Sequence, residues 1–441
     1  MRAGPKITAM TIVFASMGCI PFAASAAAPA GRYETPIVLH ARDLAPKVPL
    51  SGPGYTVDDR VPTDGLMGRF TIRSGDRRFE ALGAETLAVR VREVRAILEL
   101  EKTSKTAVFV KAAGAAAKRP VDAAINMVQR PVDTVKGLPG GVSRFFDRVG
   151  TGAKSLAAPK TDEGGSTAQS AGKMSADALG YEQERRRLAK QLGVDPYTAN
   201  AVLAKKLDDV AWVAFSGRLG VNVLVSVAVP GSMIISGTTM VNNLVWDTPQ
   251  GDLVNLVNSK LDELGVTEAQ KRSFTGNRHI PLSVQTAIVT NLSRLSEVRG
   301  RPDVIALAAS VQSGDQASFV ARAVTMLVQN HEKDPVASLS GKGTVVAREK
   351  RGAIVVPAPV DYVSWTERVA RFAQRADLKV KNREIWLSGR VSPRAREQLE
   401  ALGWKIEEQM FAPETASSTD GEALVATGPG QSRQRTASSS R

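Results

Sequence analysis

Cysteine is almost missing from this chain: Cys19 is the only one in 441 residues. A single thiol closes no intramolecular disulfide and builds no cysteine metal centre, so neither holds the fold together. Histidine is nearly as scarce, and His40, His279 and His331 lie far apart, without the spacing of metal ligands or of a base beside a nucleophile. No metal or cofactor is therefore expected. Aromatic residues make up only 5% of the chain, which leaves few stacking platforms and disfavours nucleic acid as a partner. A nucleophile elbow, a phosphate loop and a dinucleotide fingerprint are also missing. No residue set specifies a reaction, which favours a binding or structural role over catalysis.

What the chain does have is positive charge. Lys and Arg number 58 against 44 Asp and Glu, a formal net charge of +14. Arg2 and Lys6 precede an apolar run from Ile7 to Met17, and small residues follow through Ala23, Ala24, Ser25, Ala26 and Ala27. This is the layout of a secretory signal peptide cut after Ala26, and its loss would leave about +12. Two alternatives stay open: an uncleaved anchor, and lipidation of Cys19, which follows Gly18 as in a bacterial lipoprotein signal although Ser16 and Met17 suit that motif poorly. The expected location is the periplasm or the periphery of the outer membrane. A cationic exported protein favours anionic partners: a lipid surface, a small anionic ligand or an acidic envelope polymer.

The stretch 107–150 carries the most distinctive pattern. Arg119-Pro120-Val121-Asp122 returns eleven residues later as Arg130-Pro131-Val132-Asp133. Val121, Ile125, Val128, Val132 and Val135 recur at gaps of three and four, the spacing of one helix face, and Phe145 and Phe146 end the stripe. Lys118, Arg119, Arg130, Arg144 and Arg148 flank it. Pro120 and Pro131 each break the hydrogen-bond ladder, so short kinked helices are expected rather than one rod. Such a segment either packs on its own protein or lies on an anionic membrane. These twelve residues, Lys118 to Arg148, are the candidate membrane-binding set.

The remainder divides by composition into an expected α+β, mainly helical fold: an N-terminal hairpin-helix unit, a central helical bundle and a small C-terminal α/β layer. After the signal at 1–26 comes an extended, weakly ordered lead-in at 27–54. Residues 55–150 hold a hairpin around Ser74-Gly75-Asp76, a helix from Ala84 to about Lys105 that should pack on it, and the basic segment. Residues 151–178 read as a flexible linker. A bundle follows at 179–335, where Arg185, Arg186 and Arg187 read as a solvated face and Leu219–Gly237 as a buried helical hairpin, with a membrane span or strands as alternatives. At 343–410 strands alternate with helices, Ser364 to Glu367 having capping-box spacing, and 411–441 reads as a disordered tail.

One loop in the α/β layer suggests a ligand. Ser388, Gly389, Arg390, Ser392 and Arg394 run from a strand end into a helix start, where backbone N–H groups attract anions and two arginines add charge. Plain helix capping is the competing reading. The function these patterns imply is that of an exported, non-enzymatic cell-envelope protein, membrane-associated through 107–150 and binding an anionic partner at the α/β unit. The alternative is a soluble periplasmic enzyme such as a hydrolase, using Asp361, Glu367 and Glu384 if the fold brings them together.

Overall fold

Phe70, Ile72, Phe79 and Ala81 alternate with polar residues along β5 (Arg69–Ser74) and β6 (Arg77–Leu82), so the hairpin turns one apolar face inward. Gly75, at φ 56°, makes the turn between them. In the computed structural model, which describes residues 32–115, 167–217, 222 and 239–410, that face meets α2 (Ala84–Ser104). Leu87, Val91, Val94, Ile97 and Leu100 of α2 are buried against it. β2 (Ser51–Gly52) and β3 (Tyr55–Val57) complete an antiparallel sheet of order β2-β3-β5-β6. The same core continues through α3 (Ala107–Ala115), α4 (Thr167–Leu192) and α5 (Ala201–Ser216), including Leu188, Leu192, Leu203, Leu207 and Val210.

A second core lies beneath five helices: α7 (Gln250–Glu263), α8 (Glu268–Thr275), α9 (Leu282–Arg294), α10 (Arg301–Ala309) and α11 (Gly314–Asn330). α6 (Thr239–Asp247) packs beside α9. The floor of this core is a five-stranded sheet of order β13-β11-β9-β8-β7, built from β7 (Val336–Ser340), β8 (Val346–Glu349), β9 (Ile354–Ala358), β11 (Arg383–Leu387) and β13 (Trp404–Glu407). β9, β11 and β13 run parallel, while β7 and β8 pair antiparallel. Ala347, Val355 and Trp386 face the bundle; Val346, Ile354, Val356, Ile385 and Leu387 face α12 (Glu367–Ala373) and α13 (Pro393–Ala401) on the other side. Burial on both faces explains why these strands read as apolar runs. The molecule is thus α+β and mainly helical.

Several local expectations are corrected. Residues 32–54 are not simply extended: β1 (Val38–His40) pairs with β4 (Arg60–Pro62), and α1 (Ala41–Leu44) follows it, because Ala41 and Ala45 seal the first core. Helix α4 begins at Thr167, inside the stretch read as linker, and β7 precedes residue 343. Arg185 and Arg186 are buried rather than solvated, the first on Asp208 at 2.6 Å and the second on Glu182 at 3.3 Å; only Arg187 faces water. Thr366, not Ser364, caps α12 by accepting the Val369 N–H at 3.3 Å. The signal region, the stretch 219–237 apart from Asn222, the tail from 411 and the basic segment beyond Ala115 lie outside the described residues. Among the described residues no helix is long and apolar enough to cross a membrane.

Candidate functional site

The loop 388–394 is formed as a capped helix start, and its two serine hydroxyls and several of its backbone N–H groups bond within the protein. Ser392 accepts the Ala395 N–H at 3.0 Å, and Pro393 holds the first helical position. The same hydroxyl donates to Glu34 Oε2 at 2.5 Å, and that oxygen also accepts the Trp365 N–H at 2.5 Å. Glu408 accepts the Val391 N–H at 2.6 Å and pairs with Arg396. Ser388 donates to the Val360 carbonyl at 3.0 Å. A Cβ on Gly389 would fall onto the Asp361 carbonyl oxygen, so glycine is required where the strand crosses that backbone. Arg390 is exposed on β12 (Arg390–Val391), which pairs in parallel with β10 (Tyr362–Val363), and Arg394 lies on the first turn of α13. The protein's own carboxylates therefore occupy the positions that the sequence offers to an external anion, and capping is the reading the geometry favours.

The three acids considered for catalysis do not converge. Asp361 follows the C-terminal end of β9, Glu384 sits at the start of the parallel β11, and Glu367 is exposed on α12. Asp361 is buried, and that burial pushes its carboxyl up to about 6 against the opposing effect of two backbone N–H groups, from Gly68 at 2.8 Å and Ala84 at 2.9 Å. The histidines also stand apart. His40 contacts Asp59 at 2.6 Å, His279 lies beside Arg278, and His331 Nδ1 accepts the Val336 N–H at 3.1 Å.

A second buried polar network joins α2, α4, α5 and α9. Glu93 accepts from Thr198 Oγ1 at 2.5 Å and from Asn200 Nδ2 at 3.0 Å. Ser283 donates to Asp195, whose carboxyl burial raises to about 6, and Tyr197, also raised by burial, adjoins it. The aligned partners are helix ends and neighbouring helices, so the network locks helix packing where disulfides do not.

The site best suited to an external surface lies where α3 meets the end of α5. Thr106 opens α3 by accepting the Phe109 N–H at 3.2 Å. Phe109, Ala112 and Ala113 then turn inward, while Val108, at 47% exposure, and Val110, at 60%, face solvent with Lys111 beside them. A Cβ placed on Gly217 would lie 3.3 Å from the Ala112 Cβ, so α3 and the end of α5 are in contact. Gly180 of α4 packs against Phe215, where a Cβ would approach to 2.7 Å. Tyr181, Trp212 and Phe215 form an aromatic row with ring centroids 6.2 and 6.0 Å apart, and the neighbouring Leu179 is exposed. Tyr181 is buried, but the half-buried Trp212 and Phe215, on a protein that also exposes Val108, Val110 and Leu179, suit an interface that is apolar on one side and wet on the other.

The described chain stops at Ala115 and at Gly217, close to this contact. Of the membrane-binding set, Lys118, Arg119, Val121, Ile125, Val128, Arg130, Val132, Val135, Arg144, Phe145, Phe146 and Arg148 all lie outside the described residues. The pole itself has no signal in the sequence: α3 is continuous with the basic segment 107–150, and its partner Gly217 carries no local pattern. Compared with protein-family models, curated proteins and solved structures, the chain matches none.

Proposed function

We propose that this is an exported, non-enzymatic cell-envelope protein that associates peripherally with an anionic membrane surface through the pole formed by α3 and the end of α5. The observation that carries the reading is the contact between Ala112 and Gly217. It brings Ala115, the last described residue before the basic stretch, near Gly217, the last described residue before Arg218 and the uncharged run 219–237, with Val108 and Val110 exposed on α3. Each Lys or Arg held near an anionic surface contributes about 1 kcal/mol, and buried apolar area adds roughly 25 cal/mol per Å². The pattern Lys118, Arg119, Arg130, Arg144 and Arg148 supplies the first contribution, and Val108 and Val110 begin the second.

Vesicle flotation of the mature chain tests this reading. Vesicles containing phosphatidylglycerol should carry the protein, vesicles of phosphatidylcholine alone should not, and capture should weaken as ionic strength rises from about 0.1 M to about 0.5 M. Val108→Glu with Val110→Glu, and separately Arg119→Glu with Arg130→Glu, should each reduce capture. Equal capture by neutral vesicles, or none by anionic ones, would overturn the proposal.

A further inference from the structure

The N-terminal edge of the parallel strands, opposite the end closed by Asp361 and Glu34, holds a cavity of about 270 Å³. Its wall comes from the starts of β9, β11 and β13 and carries Arg351, Lys381, Asn382, Arg383, Glu384 and Lys405. Four cations therefore face one carboxylate.

Two of those cations are already balanced. Arg351 lies 3.0 Å from Glu384 and also pairs with Glu349, and Lys405 lies 2.8 Å from Glu407. Arg383 is different. Only 8% exposed, it donates to the neutral carbonyls of Leu378, at 3.2 Å, and Leu402, and its guanidinium lies 5.0 Å from the Trp404 ring centroid. Its Nε is buried without a hydrogen-bond partner. Among the described residues no carboxylate forms an ion pair with Arg383 or with Lys381 at the rim. A buried guanidinium lacking a counter-charge is costly, and carbonyls and an aromatic face offset only part of that cost.

We propose that this cavity binds a small phosphate-class oxyanion, held by Arg383 and Lys381 with Lys405 at its side. The two unneutralised positive charges match a dianion better than a monocarboxylate. Against ~30 Å³ for one water molecule, the volume leaves room for a phosphate bearing a small organic group. Asn382 and Glu384 on the same wall present a polar surface to that group. The site is separate from the α3 pole and stands or falls independently of membrane attachment.

Calorimetry on the full mature chain, with inorganic phosphate, glycerol phosphate and acetate titrated at matched ionic strength, tests the assignment. Saturable binding of phosphate or glycerol phosphate, with acetate much weaker, is the expected result. Lys381→Glu, at an exposed position, should leave the circular dichroism spectrum unchanged and weaken the phosphate-class ligand roughly tenfold or more. Arg383→Lys keeps the charge and should bind measurably, while Arg383→Met should not. Vesicles carrying phosphatidic acid separate the sources: tighter binding to them than to glycerol phosphate, lost in Lys381→Glu, assigns the site to a lipid headgroup, and the reverse assigns it to a soluble phosphoester. No saturable binding of any phosphate compound, acetate binding as tightly as phosphate, or an unaltered Lys381→Glu would overturn the proposal.

Discussion

The carboxylate of Asp361 caps a helix that begins 277 residues earlier, accepting the Ala84 N–H at 2.9 Å. Gly83, the residue before α2, has φ 92° and no side chain, so it offers no local cap. Asp361 also takes the Gly68 N–H at 2.8 Å, and Arg322 of α11 reinforces the joint through Glu85 at 2.6 Å and Thr86 at 3.3 Å. One side chain thereby ties the α/β layer to the hairpin-helix unit, and helix α2 depends on a distant part of the chain for its first turn.

Replacing this residue should be costly. Asp361→Ala leaves the buried Gly68 N–H and the part-buried Ala84 N–H without acceptors, a loss of about 1–3 kcal/mol for the first and less for the second. Asp361→Asn keeps one acceptor but turns an amide N–H₂ toward the other donor, so its loss should be smaller, roughly 1–3 kcal/mol. Urea denaturation checks both, and an Asp361→Ala variant as stable as the parent would contradict the capping role.

Stability should also respond to pH in an uncommon direction. Asp195 and Asp361 are both raised by burial from 3.8 to about 6. Between those values the folded state holds protons that the unfolded chain has released, so this contribution is fully present below about 3.8 and is lost as pH rises through 6. Asp58, Glu101 and Asp377 are held low by Arg73, Arg77 and Arg375 and act oppositely at more acid pH. Unfolding free energy from urea titrations should therefore be higher near pH 5 than near pH 7.5, by roughly 1 kcal/mol per buried carboxyl. Asp195→Asn should flatten the slope.

Glu34 and Ser392, 358 residues apart, form a latch across the end of α13. A double-mutant cycle of Glu34→Ala and Ser392→Ala, followed by denaturation, should give a coupling of at least about 0.5 kcal/mol, since the hydroxyl donates to a charged acceptor. Additive losses would mean that the two residues act separately.

Glycine substitutions offer an internal control. Gly389→Ala drives a methyl group onto the Asp361 backbone oxygen and should cost more than about 3 kcal/mol or block folding. Gly75→Ala, with positive φ but open space, should cost only about 1 kcal/mol. Thermal melts of the two variants separate crowding from backbone conformation.

Much of the architecture was legible because its signals are local. Phe70 to Leu82 shows the two-residue period of a hairpin, Leu87 to Leu100 the helical spacing, and Ser392-Pro393 a helix start that the structure reproduces. Helix α8 carries no apolar stripe, because only Phe274 in it is buried, and its local signal is the Thr267–Gln270 capping box alone. For Arg185 and Arg186 the sequence is silent, because an arginine run looks the same on a solvated or a buried face; Asp208, on another helix, decides the matter for Arg185. At 388–394 the capped helix start forms as its residues suggest, while Glu34, which accepts from Ser392 and from the Trp365 N–H there, belongs to a segment that composition alone makes look loose.

The amino-acid order by itself determined the strongly periodic helices and strands, the positive charge, and the scarcity of cysteine and histidine, because periodicity, capping and composition act over a few residues. Which carboxylate meets which amide, where Arg383 is left without a counter-charge, and that Ala112 comes to rest on Gly217 were decided only when the chain closed on itself. Those contacts join residues tens to hundreds of positions apart, and no local pattern encodes the partner.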